Sequence, residues 1–214
     1  MNAERGASVA IVVLAAGRSS RMGEGGPHKL LATFDGIPLV RRSVTNALGC
    51  DCTGVFVVAG HRHEEVTAPI HDLPCRIIRN EGYESGMAGS LRLGVAAAAR
   101  TAPDGIMITL ADMPDLLTEH LDVLVAAFRG SGANSIVRAV GHGTQGNPVI
   151  FPRILHGDLQ ELKGDIGARS LVKSSGIQVV DVEIGATALL DVDTVEQVLA
   201  AGGTLPGSGK KETK

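Results

Sequence analysis

Short apolar runs without alternation recur along this chain, at residues 9–14, 54–59 and 105–110. They are rich in β-branched residues, as in strands buried on both faces of a parallel sheet. Runs at 75–78, 135–140 and 177–182 read as further strands, and residues 141–151 as a hairpin-like return into another. Between the runs, apolar positions take up helical spacing. Leu39, Val40, Val44 and Leu48 share one face of a helix over 37–48, with Pro38 in its first turn. Leu117, Leu121, Leu124, Val125 and Phe128 form the stripe of a helix over 117–128. Helices are also expected over 61–70, 91–100, 155–162 and 170–174, and Asp193 with Glu196 has capping-box spacing for a last one. Strands alternate with helices, and no repeat or long linker divides the chain. The pattern predicts a single Rossmann-like three-layer α/β/α domain with a mostly parallel sheet of about seven strands. It is expected to span residues 1–206, with 207–214 a disordered polar tail.

Composition narrows the function classes. A chain of 214 residues can bury about 70% of its unfolded surface. Its formal charge of −3 and 2% aromatic content leave no basic footprint or stacking platform for nucleic acid. No apolar run reaches the ~20 residues of a membrane helix, and the polar N-terminus lacks a signal-peptide core. Cys50, Cys52 and Cys75 lack Cys-x-x-Cys spacing, which suggests free thiols in a reducing cytoplasm.

The candidate chemistry gathers after the predicted strands. The first run empties into Leu14-Ala-Ala-Gly-Arg-Ser-Ser-Arg-Met-Gly23, followed by Lys29. Glycines let backbone N–H groups approach an anion and the cations neutralise it, so the segment reads as a phosphate loop. Five residues separate Gly17 from Gly23, and Glu24 comes next, so Walker spacing fails. The dinucleotide pattern G-x-G-x-x-G is absent too. A second glycine-rich loop, 80–90, runs into an Ala-rich helix. There Ser85, Gly86 and Ser90 read either as contacts to an anionic or hydroxylated group or as caps and hinges. Asp112 follows the 105–110 run at a strand end, where open α/β sheets bind ligands. A carboxylate there reads as a Mg²⁺ anchor or as a turn residue before Pro114. Asp191, just outside the predicted cap, is freer than Asp193 to meet a metal. His142 reads as a solvated turn histidine in preference to an acid–base residue.

These segments resemble the MobA-like nucleotidyltransferase superfamily. The resemblance rests on five motifs between Leu14 and Glu196. Besides the first loop, they are Asn80-x-x-Tyr83-x-x-Gly86-x-x-x-Ser90-Leu91, Leu110-Ala-Asp-Met-Pro114, Gly146-Asn-Pro-Val-Ile-Phe151 and Gly164-Asp-Ile-Gly-Ala-Arg169. Ala15-Ala16 is similar to the molybdenum cofactor cytidylyltransferase branch, whereas the guanylyltransferase branch usually reads Leu-Ala-Gly-Gly. Lys29 comes later than is usual, because residues 24–28 lengthen the gap.

The resemblance implies a nucleotide-diphospho-sugar transferase-like fold. It also implies Mg²⁺-dependent (or Mn²⁺-dependent) transfer of CMP from CTP to molybdopterin, releasing pyrophosphate. Arg18, Arg21, Lys29 and Asp112 would be catalytic. Leu14, Ala15, Ala16, Gly17, Ser19, Met22, Gly23, Asn80, Gly86 and Ser90 would join them around the nucleotide. Gln145, Gly146, Asn147, Pro148, Gly164, Asp165, Gly167 and Arg169 would face the acceptor. Asp112 and Asp191, or less favourably Asp193, would hold the metal. Molybdenum hydroxylases or their maturation factors would be transient partners. Competing readings are a guanylyl- or sugar-phosphate nucleotidyltransferase, a non-catalytic nucleotide- or cofactor-binding module, and a recruited oxidoreductase.

Overall fold

The computed structural model describes residues 6–23, 26–162 and 168–206. Its strands are β1 (Val9–Ala15), β2 (Thr33–Phe34), β3 (Ile37–Pro38), β4 (Val55–Ala59), β5 (Arg76–Arg79), β6 (Gly105–Leu110), β7 (Ile136–Gly141), β8 (Thr144–Pro152) and β9 (Val179–Glu183). Its helices are α1 (Leu39–Gly49), α2 (His63–Thr67), α3 (Met87–Ala99), α4 (Thr118–Gly130), α5 (His156–Glu161), α6 (Ala168–Ser174) and α7 (Val195–Ala200). Seven strands form one sheet in the order β5-β4-β1-β6-β8-β7-β9. Only β8 runs against the others, pairing antiparallel with both β6 and β7.

The continuous apolar runs are explained by two cores. Along β1, Val9, Ile11, Val13 and Ala15 enter one core, shared with Leu39, Val44, Leu121 and Phe128 of α1 and α4. Ala10 and Val12 enter the other, shared with Leu91 and Val95 of α3 and Leu159 of α5. Helices therefore cover both faces, giving the predicted three layers. The approach of α3 is close enough to require glycine. A Cβ on Gly94 would lie 2.4 Å from Val12 Cγ1 and 2.9 Å from Val58 Cγ2. Gly94→Ala is expected to cost roughly 1–3 kcal/mol by overpacking, more than the ~1 kcal/mol that alanine gains in helix propensity. A urea unfolding midpoint that rises in this variant would show that the sheet yields.

The chain runs outward through β1, β4 and β5, then returns beneath α3 to β6 on the other side of β1. The strand order thus reverses between β1 and β6, and ligands of such sheets bind beyond the strand ends at that point. Three differences from the sequence reading concern local caps. Ile37 and Pro38 do not begin the helix; they pair with Thr33 and Phe34 across Asp35-Gly36, whose φ values of 52° and 77° make a tight reversal. The second glycine-rich segment is shorter than expected, because α3 already begins at Met87. The last helix is capped by Thr194 and Gln197, not by Asp193 and Glu196. Thr194 Oγ1 accepts from the Gln197 N–H at 3.2 Å, and Gln197 Oε1 accepts from the Thr194 N–H at 3.0 Å.

Candidate functional site

The ends of β1 and β6 bring the first glycine-rich loop and Asp112 to one place. Val192 is fully buried, and its N–H donates to the Asp112 carbonyl at 3.0 Å. In an extended segment, neighbours on either side of a buried residue point the opposite way. Asp191 and Asp193 therefore both face the strand end. Carboxylate oxygens of Asp112, Asp191 and Asp193 all lie within 4.8 Å of one another. The choice between Asp191 and Asp193 expected from the sequence does not arise. The cap made by Thr194 and Gln197 leaves the Asp193 carboxylate free to join the cluster.

Two cations converge on these acids. Lys29 Nζ lies 2.5 Å from Asp112 Oδ2 and 2.6 Å from Asp193 Oδ1, and Arg21 pairs with Asp193 from the solvent side. Burial pulls the Lys29 ammonium towards neutrality, but Asp112 and Asp193 outweigh it and hold its pKa above the ordinary value. Burial likewise pushes Asp112 up, and the neighbouring Asp191 adds to the push. Lys29 opposes both without cancelling them. Asp193 moves down: its desolvation is overcome by Lys29 and Arg21. The partners of one ion pair differ because Lys29 meets two acids, whereas Asp112 meets one cation and keeps Oδ1 buried without a hydrogen-bond partner. A buried, unpartnered carboxylate oxygen within an oxygen-rich cluster suits a hard divalent cation.

Two cavities meet here. One, of about 410 Å³, is lined by Leu14, Ala15, Ala16, Gly17, Tyr83, Gly86, Ser90, Lys29 and the three acids. The other, of about 490 Å³, shares Leu14, Met87 and Leu110 with the first. It extends over Leu91, Ile108, Val149 and Phe151 to Arg138, Gln145, Gly146, Asn147 and Arg169. Both mouths are thus occupied by residues singled out in the sequence. Ser90 accepts from Asn80 Nδ2 at 2.8 Å, which leaves its hydroxyl proton available to the first cavity.

Other expected contacts fall elsewhere. Arg18 has no contact with the acids; it pairs with Glu84 and lies 6.0 Å over the Tyr83 ring. Asn80 is 4% exposed and ties Ser90 to the Gly82 N–H, so it braces the second loop without lining the first cavity. Met22 belongs to the apolar core, and its 5% exposure leaves little to touch a ligand. Ser19 sits at φ 53° with Oγ 3.4 Å from the Lys29 N–H, and Gly23 lines a neighbouring cavity outside the loop. Pro148 is buried within β8. His142 and Gly143 form the turn between β7 and β8, held by the Glu183 carboxylate. Gly164, Asp165 and Gly167 lie outside the described residues.

The sequence reading missed His28. It is 1% exposed, next to Lys29, and burial drives its imidazole down to about 4; Arg62, His61 and Lys29 add to this, while the hydrogen bond to Gly17 opposes it. A histidine neutral when folded but basic when unfolded stabilises least in acid. Its contribution is complete above the unfolded pKa near 6.5 and is lost as pH falls towards about 4. At 1.36 kcal/mol per pH unit, the loss reaches roughly 3 kcal/mol. Urea titrations from pH 7 to pH 4 are expected to show wild type losing stability relative to His28→Gln as pH falls. Parallel curves would contradict this.

A glycine-rich loop, a clustered acid triad and a bridging lysine at the switch point of an α/β sheet fit a nucleotide-handling domain with a candidate divalent-cation site. Comparison with known proteins makes this specific. Residues 11–180 match the MobA-like NTP transferase domain. The purine catabolism protein PucB of Bacillus subtilis is 34% identical over 202 residues, covering 87% of this chain and 92% of its own. The nicotine blue oxidoreductase of Paenarthrobacter nicotinovorans is 30% identical, covering 87% and 93%. The crystal structure of Rv0371c from Mycobacterium tuberculosis superposes with a TM-score of 0.79 at 26% identity, covering 91% and 96%. This chain belongs to the MobA-like NTP transferase family and is a nucleotidyltransferase of that family.

Proposed function

We propose that this enzyme transfers CMP from CTP to molybdopterin and releases pyrophosphate. The observation that carries the reading is the buried, unpartnered Oδ1 of Asp112, set among Asp191, Asp193 and Lys29 in the first cavity, which shares Leu14, Met87 and Leu110 with the second. Transfer needs a nucleotide and an acceptor at adjoining sites beside a cation, and two adjoining cavities, one of them holding the acids, support this. Asp112, Asp191 and Asp193 would hold Mg²⁺ or Mn²⁺. When bound, the ion supplies charge neutralisation and Lewis acidity at phosphate oxygens.

The chain's own residues do the remainder. The backbone around Gly17 and the side chains of Arg21 and Lys29 bind the triphosphate and place its α-phosphorus near Asp112. Gly86 and Ser90 line the nucleoside side. Asn147, Gln145 and Arg169 orient the acceptor in the second cavity. An ionised phosphate oxygen of the acceptor attacks the α-phosphorus, the α–β bridging P–O bond breaks, and its electron pair leaves with pyrophosphate. The nucleophile arrives deprotonated, so no general base is required. Cytosine as the base rests on the similarity of Ala15-Ala16 to the cytidylyltransferase branch. A relative named for purine catabolism fits delivery of the product to molybdenum hydroxylases.

Pyrophosphate release is the test, with Mg²⁺, molybdopterin and each of the four NTPs in turn. Turnover with CTP in preference to the others is expected. Preference for GTP would refute the cytidylyl assignment, and NAD(P)H oxidation without pyrophosphate release would favour an oxidoreductase like the Paenarthrobacter relative.

A further inference from the structure

We infer that His28 is a positioning residue that sets the direction of the backbone N–H groups in the β1 loop. Its two ring nitrogens are both engaged. Nδ1 accepts from the Leu30 N–H at 3.3 Å, so the ring proton sits on Nε2, which donates to the Gly17 carbonyl at 3.2 Å. The preceding carbonyl, of Ala16, accepts from the His61 N–H at 3.5 Å. The His61 ring stacks on His28 at 6.0 Å and 24°, and its Nδ1 lies 3.4 Å from the Tyr83 hydroxyl. Two successive loop carbonyls are therefore held from one side.

In a planar trans peptide the C=O and N–H point in opposite directions. Holding the carbonyls of Ala16 and Gly17 thus turns the N–H groups of Gly17 and Arg18 the other way. Neither N–H has a partner among the described residues. Gly17 and Ala16 line the cavity that holds Lys29 and Asp112, whereas His28 and His61 line a different cavity, to which the Arg18 side chain turns. The neutral ring acts as a clamp behind a pair of anion-facing donors. Lys29, His61 and Arg62 are the charged or titratable groups around it, and none of them replaces either ring hydrogen bond.

Two substitutions separate this role from simple packing. The Gln side chain puts an N–H donor near the position of Nε2, so His28→Gln keeps the Gly17 bond. Asn keeps only the shorter reach of Nδ1, so His28→Asn keeps the Leu30 bond and loses Gly17. Amide hydrogen exchange in nucleotide-free protein reads the clamp directly, at the Met22 and His61 N–H groups that bond to Ser19 and Ala16. His28→Asn is expected to speed that exchange about five- to tenfold, the equilibrium worth of one hydrogen bond, and His28→Gln to restore it to within about twofold. The second measurement rests on the nucleotidyltransfer reading: KM for the preferred NTP should rise by the same factor in Asn, with kcat little changed, and recover in Gln. Equal exchange in the two variants, or Asn matching wild type, overturns the proposal. A wild type that turns over no NTP would defeat the functional reading alone, because the exchange measurement still decides the clamp.

Discussion

Asp112→Asn is expected to lower kcat/KM for metal-dependent nucleotidyl transfer at least about a hundredfold. The residue sits at the end of a central strand, mostly buried, and contributes the only carboxylate oxygen among the described residues that is both buried and without a partner. Replacing it by an amide would remove a full ligand charge from the proposed metal site, whose cation would contribute several kcal/mol to transition-state stabilisation. Stability should respond differently from activity. Lys29 keeps Asp193 as a partner at 2.6 Å, and the variant no longer confines three carboxylates within 4.8 Å of one another. The Asp191→Asn variant sharpens the contrast. Asp191 is exposed and raises the Asp112 pKa by repulsion, so its neutralisation should raise the melting temperature of the metal-free protein while reducing turnover. Metal-dependent rates and metal-free melting curves on both variants check this. Retention of most Mg²⁺-dependent turnover in Asp112→Asn would remove Asp112 from the metal site.

The sheet was legible in the sequence because burial on both faces leaves an unbroken apolar run, as in Val55–Ala59, where every residue is buried. The reversal at Asp35-Gly36 was less legible, since two-residue strands carry no periodicity and Pro38 suits a helix start as well as a strand end. Within the site, the strand-end aspartate and the loop lysine follow from position along the chain. The third acid does not, because two overlapping capping frames, 193–196 and 194–197, compete in the sequence. Only side-chain geometry decides that Thr194 takes the cap and releases Asp193. His28 was the hardest to see. A lone histidine before Lys29 has no pattern, and its role depends on carbonyls and rings brought from two other segments. Arg18 shows the converse: a cation in the expected loop can still turn towards a neighbouring glutamate and ring.

Lys29→Ala should separate two quantities that usually fall together. The ammonium is held in the charged form between Asp112 and Asp193, so it is poised to neutralise charge developing on the phosphate oxygens. Loss of one such preorganised group costs roughly 2–4 kcal/mol in transition-state stabilisation, and kcat/KM should fall about 30- to 1000-fold. The same lysine occupies Asp112 Oδ2 and Asp193 Oδ1, two of the oxygens a divalent cation would use. Removing it leaves three acids with only Arg21 nearby, and their mutual repulsion is relieved by binding a cation. Mn²⁺ affinity, measured by titration calorimetry in the absence of nucleotide, should therefore rise in the variant whose turnover collapses. An unchanged kcat/KM would take Lys29 out of the reaction. Weaker Mn²⁺ binding would mean that the ammonium organises the acids more than it competes for them, and the cluster would then need its lysine in order to hold a metal at all.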